Sequence, residues 1–266
     1  MIIHMVHEIT ILEAVLLGLV QGFTEWLPIS SSGHLVIFQA LLNVSVPPEF
    51  DIIIMSGTIA ALILYFRKRI LSLFTGLLEG ERSAINYIIL ILITGIPTGI
   101  IGFAGRELFK SLYDEPVTVS ILLIVTGFFL FIASFQKKQD APITRKRAFI
   151  IGIAQGIAVA PGISRSGSTI GTAVLLGIKP KDAAEFSFLI GIPAMTVAAM
   201  LTFLDEPTAG IGVAPLFAAI IAAFIAGYVC IAFMMKLLEE NRLYYFALYC
   251  VMAGTIFAIL AHMAGY

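Results

Sequence analysis

The chain has 266 residues, 59% of them hydrophobic and only 12% charged, with a mean hydropathy of +1.02 and a formal net charge of −1. A soluble fold could not cover that composition with polar surface, so the expected class is an all-α polytopic membrane protein. The near-neutral charge excludes a basic nucleic-acid-binding surface.

The first Lys or Arg is Arg67, and Glu8 and Glu13 stand at the first apolar run, so no secretory leader with a basic start is expected. That run, 9–20, is shorter than the roughly 20 residues a spanning helix needs. It stops at Pro28, and a second short run, 34–42, ends before Pro47 and Pro48. Two half-length helices joined by a polar turn predict a re-entrant hairpin over 9–43. Non-helical backbone at membrane depth is tolerated only inside protein or beside a wet cavity. Spans are expected at 50–66, closed by Arg67, Lys68 and Arg69, at 84–103 with Pro97 inside, and at 117–135. Residues 70–78 read as a short amphipathic connection.

The polar linker 136–147 separates this first repeat, 9–135, from a second, 148–266. Short runs at 148–159 and 170–178 flank the turn 161–169 and predict a second hairpin over 148–178. Spans follow at 186–204, 213–235 and 243–263, so residues 1–266 form one integral membrane domain. Three spans per repeat is odd, so the second copy must enter from the opposite face, an inverted-topology repeat. Basic residues agree: loops 67–83, 136–147, 178–185 and 236–242 hold thirteen of the sixteen, and the opposite loops hold only Arg106 and Lys110. By the positive-inside rule the thirteen face the cytoplasm and both termini lie outside. Cys230 and Cys250 fall within apolar runs and read as small buried hydrophobes.

The polar turns are related copies. Segments 21–34 (QGFTEWLPISSSGH) and 155–168 (QGIAVAPGISRSGS) align 134 positions apart, sharing Gln21/Gln155, Gly22/Gly156, Ser30/Ser164, Ser32/Ser166 and Gly33/Gly167. Gln21 and Glu25 are four apart and share a helix face. A carboxylate at membrane depth is by default a functional group, the alternative being an interfacial position beside Trp26. Ser30, Ser31, Ser32, Gly33 and His34 lie where a half-helix begins, as do Ser164, Arg165, Ser166, Gly167 and Thr169. Free N–H groups and the positive dipole end suit an anion there, the alternative being that the serines are plain N-caps. A guanidinium makes bidentate contacts to phosphate, and a buried Arg165 needs either a ligand or Glu25 as partner. If the turns meet, the set fits a phosphate or diphosphate with a divalent ion held by Glu25.

These motifs resemble a known family. Gln21 to His34 resembles the (E/Q)xxxE plus P-x-S-S-x-G-H signature of the undecaprenyl-diphosphatase family of the bacitracin-resistance type, and 161–169 resembles its PGxSRSxxT signature. Glu185 to Phe188 with Pro193 looks like the segment that follows. The resemblance implies hydrolysis of a polyprenyl diphosphate to the monophosphate, recycling a lipid carrier. It implies a divalent ion, Mg²⁺ or Ca²⁺, and a multi-pass plasma-membrane protein whose active site opens to the outer face. Its partners would be the lipid diphosphate and the bilayer, with a homodimer as a candidate assembly and no nucleic acid. Glu25, Ser31, His34 and Arg165 would be catalytic, with Glu25 the metal ligand. Gln21, Ser30, Ser32, Gly33, Ser164, Ser166, Gly167 and Thr169 would bind substrate. Gln21 stands where many members carry a carboxylate, and Asp51 where a Glu is familiar. Ser31, His34 or water could attack. A transporter or flippase of a lipid phosphate is the rival reading, because inverted repeats with broken helices also build transporters.

Overall fold

A computed structural model describes residues 9–42, 44, 46–137, 140–205, 212–239 and 242–263. Glu8, Asn43 at the end of the expected first hairpin, and Lys138, one of the thirteen basic loop residues, lie outside the described residues. The described chain is helical: α1 (Ile11–Glu25), α2 (Ser31–Leu42), α3 (Pro48–Tyr65), α4 (Arg67–Leu78), α5 (Arg82–Ala104), α6 (Arg106–Ser111), α7 (Pro116–Ser134), α8 (Arg145–Ile157), α9 (Arg165–Leu175), α10 (Pro180–Asp205), α11 (Val213–Glu239) and α12 (Leu243–Met263). Helices α5, α7, α10, α11 and α12 are each long and apolar enough to cross a bilayer. The bent pair α3–α4, 71° at its break, makes up to a sixth. Short α6 and a 3-10 turn over Leu112–Asp114, which hydropathy does not reveal, fill the connection between α5 and α7.

Large apolar side chains face outward in helical stripes. On α5 these are Leu92, Ile96, Ile100 and Phe103, and on α11 Phe217, Ile221, Ile225 and Val229. In water such surfaces would aggregate; against lipid they cost nothing. The hydrophobic residues that are buried sit around the hairpins instead. Trp26, Leu123, Ile170, Phe186 and Phe188 centre one cluster, and Leu17, Leu35, Phe50 and Ile54 a second.

The hairpin helices pack by backbone approach, which lipid-embedded helices use in place of a hydrophobic driving force. Helix α1 lies on α11, with Gly18 so close that a Cβ would sit 2.3 Å from the Ala219 carbonyl oxygen. Helix α8 lies on α5 in the same manner, a Cβ on Gly152 falling 2.3 Å from the Thr94 carbonyl oxygen. Gly18 and Gly152 are 134 positions apart, the offset of the polar turns. Each short helix therefore docks on the middle span of the other half of the chain.

Candidate active site

Thr10 starts α1 with a capping box, accepting from the Glu13 amide while its own amide donates to Glu13 Oε2 at 2.8 Å. The helix stops just before Pro28, which has no N–H to donate and disfavours helical geometry in the residue before it. The chain then reverses through Ser30, at φ 65, the one non-glycine among the described residues with positive φ. That conformation costs of order 1 kcal/mol or more and is held by its surroundings. The Ser30 carbonyl oxygen accepts from the His34 amide at 3.2 Å and lies 2.8 Å from His34 Nδ1. A carbonyl only accepts, which assigns the ring proton to Nδ1. Nε2 is engaged by the Tyr249 hydroxyl at 2.8 Å, and the imidazole stacks on the Tyr249 ring.

The second turn repeats this construction with different supports. Ser164 caps α9 by accepting from the Gly167 amide at 3.0 Å, as Ser30 accepts from the Gly33 amide at 3.3 Å. Both caps touch a second serine, Ser30 with Ser32 at 3.3 Å and Ser164 with Ser166 at 3.2 Å. Gly162, at φ 89, lies against α7 so tightly that a Cβ would fall 2.3 Å from the Val119 carbonyl oxygen. Thr126 of α7 pins the turn, donating to the Gly162 carbonyl and accepting from the Ser164 amide, each at 3.2 Å.

The two turns meet. Ser166 donates to the Leu27 carbonyl at 2.8 Å, and Gly33 faces Gly162 with 3.2 Å left for a Cβ. This contact brings together charges 140 residues apart: Arg165 Nη2 donates to Glu25 Oε1 at 2.7 Å. The other carboxylate oxygen accepts from Gln21 Nε2 at 3.0 Å and Ser31 Oγ at 2.5 Å. The Glu25 side chain is only 7% exposed and that of Arg165 15%. A cation on the first residue of α9 opposes the positive helix end, and Glu25 offsets it. Buried pairs of this kind add little net stability, since two charges must be desolvated, but removing one partner is costly.

Glu25, Ser30, Ser31, Ser32, Ser164 and Arg165, with Ala158 and Ile163, line a cavity of about 40 Å³. A larger one of about 580 Å³ lies elsewhere, lined by Arg69, Tyr87, Pro142, Asp182 and Glu185 among others, with Arg69 and Glu185 paired at 2.8 Å. It contains none of the turn residues. It does place loops 67–83, 136–147 and 178–185, three of the four basic loops, at one end of the molecule.

Gln21, Glu25, Ser30, Ser31, Ser32, Ser164 and Arg165 thus converge. Gly33, Gly167 and Ser166 sit at the contact between turns. His34 lies behind Ser30, 2% exposed and outside the cavity lining. Thr169 is fully buried one turn into α9, sharing a 2.5 Å hydrogen bond with Ser187. Trp26 is fully buried rather than interfacial, its ring 5.1 Å from the Arg165 guanidinium carbon. Asp51 accepts from Gln39 Nε2 at 2.8 Å. Cys230 and Cys250 are both buried and free. Sequence reading missed Met195, Tyr249 and Ser187 as partners of site residues. The available signal was the four-residue spacing of Ser187, Gly191 and Met195 within the segment after the second motif.

Among the described residues no group of three or more His, Cys, Asp or Glu side chains could hold a metal. Glu25 is the one carboxylate lining the small cavity. With the hydroxyl oxygens of Ser30, Ser31 and Ser32 lining the same cavity, the donor set is hard and oxygen-rich, while Gln21 turns its amide nitrogen to Glu25 and supports the carboxylate. That suits a cation such as Mg²⁺, which uses one or two carboxylates and takes other ligands from phosphate and water.

Known proteins bear on this geometry. The family described as "Bacitracin resistance protein BacA" matches residues 14–256. An undecaprenyl-diphosphatase of Korarchaeum cryptofilum is 35% identical over 257 residues, covering 92% of this chain and 97% of its own. Those of Methanosphaera stadtmanae and Syntrophotalea carbinolica are each 38% identical, covering 94% and 93% of this chain and 98% of their own.

Proposed function

The chain belongs to the bacitracin resistance protein BacA family, and from that membership together with the Glu25–Arg165 site we infer that it is a membrane phosphatase. It hydrolyses undecaprenyl diphosphate to the monophosphate and inorganic phosphate. The observation that carries this reading is the meeting of two half-helix starts around one buried arginine and one buried carboxylate.

Arg165 and the free N–H groups at the starts of α2 and α9 hold the terminal phosphate and stabilise charge that develops during transfer. A hydroxyl already donating to a carboxylate is an activated nucleophile, and Ser31 donates to Glu25 at 2.5 Å. Ser31 Oγ attacks the terminal phosphorus, Glu25 takes its proton, and the anhydride P–O bond breaks to release the lipid monophosphate. Water then hydrolyses the phosphoserine. His34 serves as a positioning residue, holding the strained Ser30 carbonyl that aims the turn. A divalent cation, Mg²⁺ or Ca²⁺, would be held by Glu25, which Gln21 orients by donating to it, and would neutralise phosphate charge. The 40 Å³ cavity is far below the roughly 300 Å³ at which ligand pockets begin. The diphosphate therefore enters as Arg165 exchanges Glu25 for phosphate.

Around the site we read two inverted-topology repeats, 9–135 and 148–266, with re-entrant hairpins at 9–43 and 148–178. The matched glycines, the matched serine caps and the reciprocal docking of hairpins on spans support that reading. We take the end of the molecule that holds the 580 Å³ cavity as the cytoplasmic end of a plasma-membrane protein, with α1 entering from the outer face; the distribution of the thirteen basic residues supports that reading.

The test is phosphate release in detergent from polyprenyl diphosphates of several chain lengths, with and without chelator. Release that chelation abolishes and added Mg²⁺ or Ca²⁺ restores is expected, with a phosphoserine trapped at Ser31. Movement of lipid phosphate across vesicles without phosphate release would replace this reading with a transporter. Retained release by Ser31→Ala would return the attack to water.

A further inference from the structure

Arg165 does not rest on Glu25 alone. Nη2, besides donating to Glu25, donates to Met195 Sδ at 2.9 Å. Nη1 is buried without a partner. It lies over Gly191, where an added Cβ would sit 2.5 Å from Nη1 and 3.1 Å from Cζ. The three atoms nearest that Cβ position all belong to the Arg165 guanidinium. The guanidinium also lies over the Trp26 ring, 5.1 Å from its centre, and Trp26 makes an edge-to-face contact with Phe188 at 5.3 Å.

The slot follows from helix periodicity. Arg165 and Thr169 are one turn apart on α9, and Ser187, Gly191 and Met195 are successive turns of one face of α10. The hydrogen bond between Thr169 and Ser187 sets the register of these faces, so that Arg165 meets the gap at Gly191. Any side chain at 191 would occupy the space of the guanidinium. Met195 supplies a soft acceptor that neither competes for charge as a carboxylate would nor leaves Nη2 to Glu25 alone.

We propose that Gly191 and Met195 are positioning residues of this site: with Trp26 they form a slot that fixes the Arg165 guanidinium at the distance and orientation from which it receives the substrate phosphate. The proposal deepens the phosphatase reading and rests on it for its kinetic consequence only. Misplacing a phosphate-holding group by about 1 Å costs as much as 100-fold in rate. The clash at Gly191→Ala is with the flexible end of one side chain, so the fold tolerates it.

Trp26 is the single tryptophan of the chain, so its fluorescence reports the position of the guanidinium beside it. Gly191→Ala is expected to change Trp26 emission and to leave it unchanged when introduced into Arg165→Ala, which removes the three atoms nearest the added methyl. In the kinetic arm Gly191→Ala lowers phosphate release by about 10–100-fold, and Met195→Leu, which keeps volume but removes the acceptor, lowers it several-fold. An unaltered emission in Gly191→Ala, or an equal change in the Arg165→Ala background, overturns the slot. Wild-type rates in Gly191→Ala overturn its positioning role. A wild-type chain that releases no phosphate, while the emission behaves as expected, overturns the phosphatase reading and leaves the slot standing.

Discussion

Ser31 and Arg165 occupy equivalent positions in the two copies of the turn motif, 134 residues apart, and donate to opposite oxygens of the same Glu25 carboxylate. One copy presents a neutral hydroxyl and the other a permanent cation to a single acceptor. The duplicated turn has become asymmetric at the position that matters for chemistry.

Separating charge from stability at this site is therefore possible. Glu25→Gln and Arg165→Ala should each abolish phosphate release. Glu25→Gln leaves a buried guanidinium without its counter-charge and should cost about 3 kcal/mol. The double variant Glu25→Gln with Arg165→Met should recover most of that melting temperature while remaining inactive. Thermal melts beside phosphate release decide it, and activity in the double variant would contradict the assigned roles.

The strained turn makes its own prediction. Ser30→Gly relieves the positive φ while Ser30→Ala keeps it, and both lose the cap to the Gly33 amide. The glycine variant should be the more stable by about 1 kcal/mol. Equal denaturation midpoints would show that Ser30 carries no strain.

His34 and Tyr249 can be told apart by rate. Tyr249→Phe deletes one hydrogen bond worth about 1 kcal/mol, so release should fall about fivefold. His34→Ala frees the Ser30 carbonyl as well and should fall much further. If Tyr249→Phe matched His34→Ala, the shared Nε2 contact rather than the turn would be what the site needs.

Backbone approach at the hairpins should be unforgiving. Gly18→Ala and Gly152→Ala each drive a methyl onto a carbonyl oxygen 2.3 Å away. Overpacking of this kind costs typically 1–3 kcal/mol, and matched losses at the two sites in chemical denaturation are expected. Tolerance at either would mean that its helix does not lie where the structure puts it.

Sidedness can be read with thiol reagents, because Cys230 and Cys250 are both buried and should stay silent. Cysteines introduced at the exposed positions Lys110 and Lys179 should label from opposite faces of intact cells. Labelling from the same face would break the inverted repeat.

Much of the architecture was legible before any coordinates. Span positions come from local hydropathy, so 84–103, 117–135 and 243–263 fall within a residue or two of the helices observed. Helix starts at Ser31 and Arg165 follow from Pro28, Pro161 and the serine caps, which act over one turn of chain. The first span is the partial exception. Hydropathy gives 50–66 and a separate amphipathic piece, and the structure joins α3 to α4 through a 71° bend at Phe66.

Sequence alone, through composition, periodicity and a repeated motif, determined that this is a multi-pass helical membrane protein with two special turns, because those signals are short-range. Tertiary structure decided what the turns do to each other. That Arg165 pairs with Glu25, that His34 is held by Tyr249 215 residues away, and that Thr169 turns to Ser187 instead of the cavity all depend on interhelical packing. Such contacts are set by where glycines let backbones approach, as Gly18, Gly152 and Gly162 do here. No local pattern of hydropathy or charge encodes which distant helix will arrive there.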